Sequence, residues 1–402
     1  MSPTTPHLKL KVGLSVPPDL PPQLQITTAR LFEALGFDHI WNADHLLVPE
    51  GSPCYDPWTL MGPMAMKTKR VTLGPGVTDP HRHHPAVLAQ RLATLDQLSK
   101  GRMILGLGSG EAMNLEPYGI PWTERRVRKI SEFLTVLQGL LDSDEPFTFE
   151  GDFYQLKRAR LAVRPFQNRH IPIYMAALGP MMQKLAGKKA DGWLPTVIPP
   201  QFYQDYFEPM AEAARKAGRD PAAFPKVANV VAAMDTDGTT TTEEILNVLR
   251  PLSGVLVWPP VMERLGYEFN PPPEAQSSYL EVNPCDLDSL TRYWELQRWI
   301  PEEIIKDIVV HGGPDEIVEE CRRFAQAGAT EIVLVLASLD PLGALIRIAH
   351  EVLPRVTGRP PTLLARILGR LTGPLIRRGV LKRRFPPPVN VGMDELPKVF
   401  RD

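Results

Sequence analysis

Eight short apolar runs, separated by amphipathic stretches, constrain this chain more than anything else in it. They are Val12–Val16, His39–Asn42, Val71–Gly76, Met103–Gly108, Ile173–Ala177, Gly192–Val197, Val227–Ala232 and Glu331–Ala337. Each is too short for a helix and reads as a strand covered on both faces, the pattern of a parallel sheet. Between them apolar residues recur at helical spacing, as Ile26, Ala29, Leu31, Ala34 and Leu35 do, with Gly36 placed to end the helix. Strands alternating with helices in this way predict an α/β fold, a (β/α)8 TIM barrel with insertions at the C-terminal face of its strands. The competing fold, a doubly wound dinucleotide domain, expects Gly-x-Gly-x-x-Gly after its first strand. Here the glycine loop follows the fourth strand with the spacing Gly106-x-Gly108-x-Gly110, so that fold is rejected.

The barrel is expected over residues 1–356, with insertions at about 146–170 and 235–310. The first holds Phe149-Glu150-Gly151-Asp152-Phe153-Tyr154-Gln155-Leu156, which reads as a hairpin turning at Gly151-Asp152. The second carries Trp258, Tyr267, Tyr279, Trp294 and Trp299. An insertion after a strand's C-terminal end stands at the barrel mouth, which predicts a lid or substrate wall. A packed helical subdomain or a homodimer contact are its alternatives.

A formal net charge of −1 supplies no basic field for nucleic acid. Cys54, Cys285 and Cys321 are too few and too scattered for a disulfide framework or a zinc cluster. The first residues lack the basic and apolar regions of a signal peptide, and no run is long enough to span a bilayer. These features predict a soluble, reduced, cytoplasmic protein.

The chemistry concentrates in Leu98–Asn114. Lys100-Gly101 makes a turn, Met103 to Leu107 a strand, and Gly106, Gly108 and Gly110 bring backbone close to a flat or anionic ligand. Glu111 directs a carboxyl at that ligand. His81-Arg82-His83-His84 does not read as a metal site, because adjacent rings diverge and no ligand partner stands at a recognised spacing. Arg82 or a neighbour is placed to meet a cofactor phosphate instead.

This glycine loop and three further blocks resemble the bacterial-luciferase-like superfamily, in the branch that uses the deazaflavin coenzyme F420. The blocks are Trp41-Asn42-Ala43-Asp44-His45, then Leu73–Thr78 leading to Pro85–Gln90, then Ile173–Pro180. The resemblance runs from about Leu10 to Arg355. Tyr55-Asp56-Pro57-Trp58-Thr59, Glu116-Pro117-Tyr118-Gly119 and Trp122-Thr123 place it nearest the phthiodiolone-type ketoreductases.

The resemblance implies an oxidoreductase that exchanges hydride between F420 and a carbonyl/alcohol pair, with an FMN-dependent monooxygenase as the alternative. It implies His45 and Glu111 as the acid/base pair, and cofactor contacts from Asp44, Gly76, Val77, Thr78, Ser109, Gly110, Glu111, Asn114, Ala176, Ala177, Gly179 and Pro180. It also implies a non-prolyl cis bond at Gly76–Val77. Two departures bear on the substrate. The branch's sugar-phosphate dehydrogenases carry a Trp soon after the histidine and a Lys after the sixth strand. This chain has Leu46-Leu47-Val48-Pro49 and Ile198-Pro199-Pro200 there. Leu46, Leu47, Val48, Trp58, Ile198 and Trp258 point instead to an apolar pocket; the ketoreductase resemblance implies the same, a small-molecule or lipid-like substrate that is a large hydrophobic ketone or alcohol.

The resemblance does not cover residues 357–402. Apolar and basic residues mix there, and no acid occurs between Arg359 and Met393. That tail reads first as an arm packed on the barrel or on a second subunit, with peripheral membrane contact through an interfacial helix as the alternative.

Overall fold

A computed structural model describes residues 8–376, apart from 50, 123–124, 240, 242, 246–248, 250–253, 255–256 and 258. Trp258 and Thr123 therefore lie outside the described residues. The strands are β1 (Lys11–Val16), β2 (His39–Asn42), β3 (Thr72–Pro75), β4 (Leu105–Leu107), β5 (Phe147–Glu150), β6 (Gln155–Ala159), β7 (Ile173–Met175), β8 (Gly192–Trp193), β9 (Val227–Met234), β10 (Val309–Gly312) and β11 (Glu331–Leu336).

Parallel ladders run in the order β10-β9-β11-β1-β2-β3 and β4-β7-β8. Single parallel bridges, Leu73 to Met103 and Trp193 to Lys226, join the two sheets at both seams. Eight strands, β1, β2, β3, β4, β7, β8, β9 and β11, thus close on themselves as a barrel. Trp41, Ile104, Tyr174, Leu194, Val227 and Val333 are buried together with Val77 against them. They come from six different strands or their flanks, as side chains filling a barrel's interior must. The larger core lies outside this ring, where the helices bury their apolar stripes.

Six α-helices cover residues 22–216: α1 (Pro22–Leu35), α2 (Pro57–Lys67), α3 (Pro85–Ser99), α4 (Arg126–Leu141), α5 (Pro180–Lys189) and α6 (Pro200–Lys216). All but α4 begin with proline, whose missing N–H is no loss in a first turn. The hairpin expected in the first insertion is present as antiparallel β5 and β6.

The second insertion differs from expectation at its end. Helices Pro259–Arg264, Leu287–Trp299 and Glu302–Ile308 lead into β10, which pairs in parallel with Val231–Met234 of β9. This extra strand takes the side of β9 that β8 meets lower down. Its residues continue the apolar run of the preceding helix, and periodicity alone does not divide the two.

Candidate active site

His45 and Glu111 sit on loops that leave β2 and β4 at the same end of the barrel. His45 Nδ1 lies 3.2 Å from Glu111 Oε2, with the two side chains 16% and 21% exposed. Asn114 fixes this pair. Its Nδ2 stands 3.0 Å from His45 Nδ1 and donates to Glu111 Oε2 at 2.8 Å, while its Oδ1 accepts from the Leu46 amide at 2.7 Å. The short helical turn Ala112–Asn114 brings the amide back under the carboxylate. With the ring neutral, Asn114 donates to Nδ1; with it protonated, Nδ1–H donates to Glu111. Burial disfavours the His45 imidazolium, but the adjacent Glu111 carboxylate outweighs it and holds the pKa above the ordinary histidine value. Nε2 makes no hydrogen bond to a described residue and is the nitrogen left for a reacting group.

Asp44 has another task. Its Oδ1 accepts from Arg82 at 3.0 Å and its Oδ2 from the Trp58 indole N–H at 3.0 Å, while Arg82 also donates to the Asp44 carbonyl at 2.8 Å. Burial pushes this carboxyl up, but the His83 ring and the Arg82 guanidinium prevail and hold it well below the usual range. Arg82 bridges on to Asp79, whose other oxygen takes the His81 and Arg82 amides. This is a buried truss that aims the His45 loop.

The structure corrects several readings. Arg82 was expected near a cofactor phosphate, yet its guanidinium is held by Asp44 and Asp79 with the side chain only 8% exposed. Trp58 and Ile198 do not line a pocket: Trp58 packs in the core on Asp44, and Ile198 is buried. Leu46, Leu47 and Val48 do stand at the rim. Asn114 and Asp44 both find protein partners for their polar atoms.

The glycine loop is also explained differently at two positions. A Cβ on Gly106 would lie 2.2 Å from the Pro75 carbonyl oxygen, and one on Gly108 2.8 Å from Val77 Cγ2. Those glycines admit β3 and its Val77 side chain, not a ligand. The Gly76–Val77 bond is cis, as the resemblance implied. Thr78 resumes the pairing beyond it, donating to the Gly106 carbonyl at 3.0 Å. Ser109 presents its carbonyl to the His81 ring, and Gly110 adopts a φ of 85°.

Substitution at Gly106 therefore has a structural cost that substitution at Gly179 lacks. Gly179, φ −76°, caps α5 with nothing within 4 Å of an added Cβ. Gly106→Ala is expected to destabilise by at least ~1–3 kcal/mol in urea unfolding, and Gly179→Ala to stay within about 0.5 kcal/mol of wild type. Equal effects would contradict this account of the loop.

Ala176 and Ala177 close the strand end. The Ala176 amide bonds the Leu107 carbonyl, and the Ala177 carbonyl takes the Trp193 indole N–H. Pro180 then opens α5, leaving the first-turn amides of that helix at the mouth. Across it the second insertion arrives as a wall. The Leu280 carbonyl accepts from the Ala112 amide at 2.8 Å, and the Tyr279 ring stands edge-on to His45 with centroids 6.4 Å apart. Met113, Val282 and Tyr293 form a small core behind it, backed by Tyr279 and Trp294. Tyr279 was legible only as one aromatic among several in that insertion. Among the described residues no group of three metal-ligating side chains converges: His81 faces the Ser109 carbonyl, Arg82 and His83 face Asp44, and His84 accepts from the Ala86 amide.

Known proteins resemble this chain over most of its length. Residues 10–331 match the family described as luciferase-like monooxygenase. A phthiodiolone/phenolphthiodiolone dimycocerosates ketoreductase of Mycobacterium tuberculosis is 30% identical over 81% of this chain and 89% of its own. An F420-dependent glucose-6-phosphate dehydrogenase of Beutenbergia cavernae is 32% identical over 82% and 92%. An F420-dependent secondary alcohol dehydrogenase, solved with an F420–acetone adduct, superposes with a TM-score of 0.73 at 27% identity, covering 87% of this chain and 99% of that one.

Proposed function

This chain belongs to the luciferase-like monooxygenase family, and from that premise we propose that it is a coenzyme F420-dependent oxidoreductase acting on the carbonyl/alcohol pair of a large hydrophobic substrate. The observation that carries the reading is the His45–Glu111 contact of 3.2 Å, clamped by Asn114 at the strand C-termini.

The residues present fit a deazaflavin. Val77 rises from the cis bond as a wall for one ring face, and Gly179 leaves open space beside the first turn of α5 for a phosphorylated tail. Ser109, Gly110, Ala176, Ala177 and Pro180 complete the backbone surface at that rim. When bound in its reduced form, F420 supplies hydride to the carbonyl carbon. His45 donates a proton from Nε2 to the oxygen as it gains charge. Glu111, 3.2 Å away, accepts from Nδ1–H and so keeps Nε2 the nitrogen that gives up the proton; its second task would be to take the proton that the deazaflavin ring releases. One hydride and one proton thus reach each carbonyl, and exchange with solvent at the mouth returns a proton to Nε2 and removes the one on Glu111.

The direction of the pH effect follows. His45 must carry a proton for ketone reduction, and its pKa is raised. Reduction kcat/KM is expected to fall as pH rises through that raised value, while alcohol oxidation gains over the same interval. A profile without opposed limbs would remove His45 from the proton path.

The substrate class rests on Leu46, 46% exposed, with Leu47, Val48 and Tyr279 around the mouth. The test is turnover of reduced F420 with alkyl ketones of rising length, set beside oxidation of glucose 6-phosphate. Rising kcat/KM along the series supports the reading; preference for the sugar phosphate overturns it.

A further inference from the structure

The helix Leu363–Ile376 presents two apolar faces, and among the described residues only one of them is covered. Inward, Ala365 is buried, Leu364 and Leu368 pack on the main core, and Gly369 lies so near His350 that a Cβ would meet its ring at 2.7 Å. Outward, Leu363, Ile367 and Leu371 are 66%, 44% and 69% exposed. These three recur every fourth residue and make one stripe. Exposed Arg366 and Arg370 flank it.

Charge and direction single out what covers that stripe. Eight Arg or Lys residues and no acid occur from Arg359 to Met393. Arg359 is tied to Asp38 and the Gly36 carbonyl, and the Val356 carbonyl accepts from Leu10, all at the N-terminal end of the barrel strands. From there the helix runs back along Ile348–Val352 and α1 toward Pro341–Arg347, which follows the C-terminal end of β11. At ~1.5 Å per residue it climbs most of the barrel's height. Arg377, Arg378, Lys382, Arg383 and Arg384 follow in sequence, outside the described residues.

We propose that this helix lays the barrel against an anionic lipid surface, its Leu363–Ile367–Leu371 stripe entering the interface and the basic residues meeting the headgroups. A cationic, acid-free frame around an apolar stripe is what such a surface selects. That orientation puts one rim of the barrel mouth beside the lipid from which a hydrophobic ketone is drawn. No helix among the described residues is long and apolar enough to cross a membrane, so the contact is with one leaflet. The inference does not rest on the cofactor reading, and its failure would leave that reading intact.

The experiment is sedimentation of the full chain with vesicles of equal phosphatidylglycerol and phosphatidylcholine, and with phosphatidylcholine alone, at low and high salt. Binding to the anionic vesicles only, weakened by salt, is expected. The triple variant Leu363→Ser, Ile367→Ser, Leu371→Ser and the double variant Arg366→Glu, Arg370→Glu should each weaken it at least tenfold. Both should keep the wild-type unfolding midpoint, because every altered side chain is exposed. Absence of wild-type binding at low salt overturns the proposal, and so does triple-variant binding equal to wild type. A wild-type dimer that the triple variant converts to monomer, with vesicle binding unchanged, assigns the stripe to a second copy and also overturns it.

Discussion

Glu111→Gln and His45→Ala are expected to lower turnover by roughly 10²–10⁴, the usual worth of a positioned proton carrier, while F420 affinity changes only a few fold. The reasoning is geometric. His45 Nδ1 and Glu111 Oε2 are 3.2 Å apart, and Asn114 holds both, so either substitution breaks a proton path and leaves the loop backbones in place. The two losses should not add. Glu111 acts largely through the ring whose Nδ1–H it holds, so the double variant should resemble the worse single one. Glu111→Gln also removes the carboxylate that raises the His45 pKa, so the alkaline limb of ketone reduction should move to lower pH. Near-normal turnover in both single variants would remove the pair from the chemistry.

Arg82→Met should have the largest effect on stability. The guanidinium stands between Asp44 and Asp79, with the three side chains 8%, 4% and 5% exposed. Removing it leaves two buried carboxylates without their shared cation, a loss of about 3–5 kcal/mol in unfolding free energy. Replacing Asp44 by Asn in the same chain should recover part of this, because one of the stranded charges is gone. Arg82 also donates to the Asp44 carbonyl, next to His45, so residual activity in Arg82→Met should show impaired kcat beyond the fraction unfolded. An unfolding free energy within about 1 kcal/mol of wild type would mean that the truss carries no load.

Much of the architecture is legible from the chain because a parallel barrel repeats one signal. A strand buried on both faces is a short apolar run, and all eight such runs became barrel strands. The cis bond at Gly76–Val77 and the His45 and Glu111 loops follow from matching blocks at strand ends. What sequence does not reveal is which way a side chain turns. Trp58 and Ile198 look like pocket residues by type, yet Trp58 is drawn inward by the Asp44 carboxylate. Arg82 looks available for a phosphate until the fold brings Asp44 beside it, distant in sequence and adjacent in space. Gly106 and Gly108 read as room for a ligand, whereas the room is taken by Pro75 and Val77. Tyr279 is hardest to foresee, because it meets His45 only through the Leu280–Ala112 clasp between distant segments.

Titration of the purified protein with F420, FMN and NADPH, read by fluorescence or calorimetry, tests the central claim most directly. Saturable binding of F420 alone is predicted, weakened in Gly179→Ala although that variant keeps wild-type stability. Preferential binding of FMN, or co-purification of a yellow flavin, would contradict the account and assign the barrel to flavin chemistry.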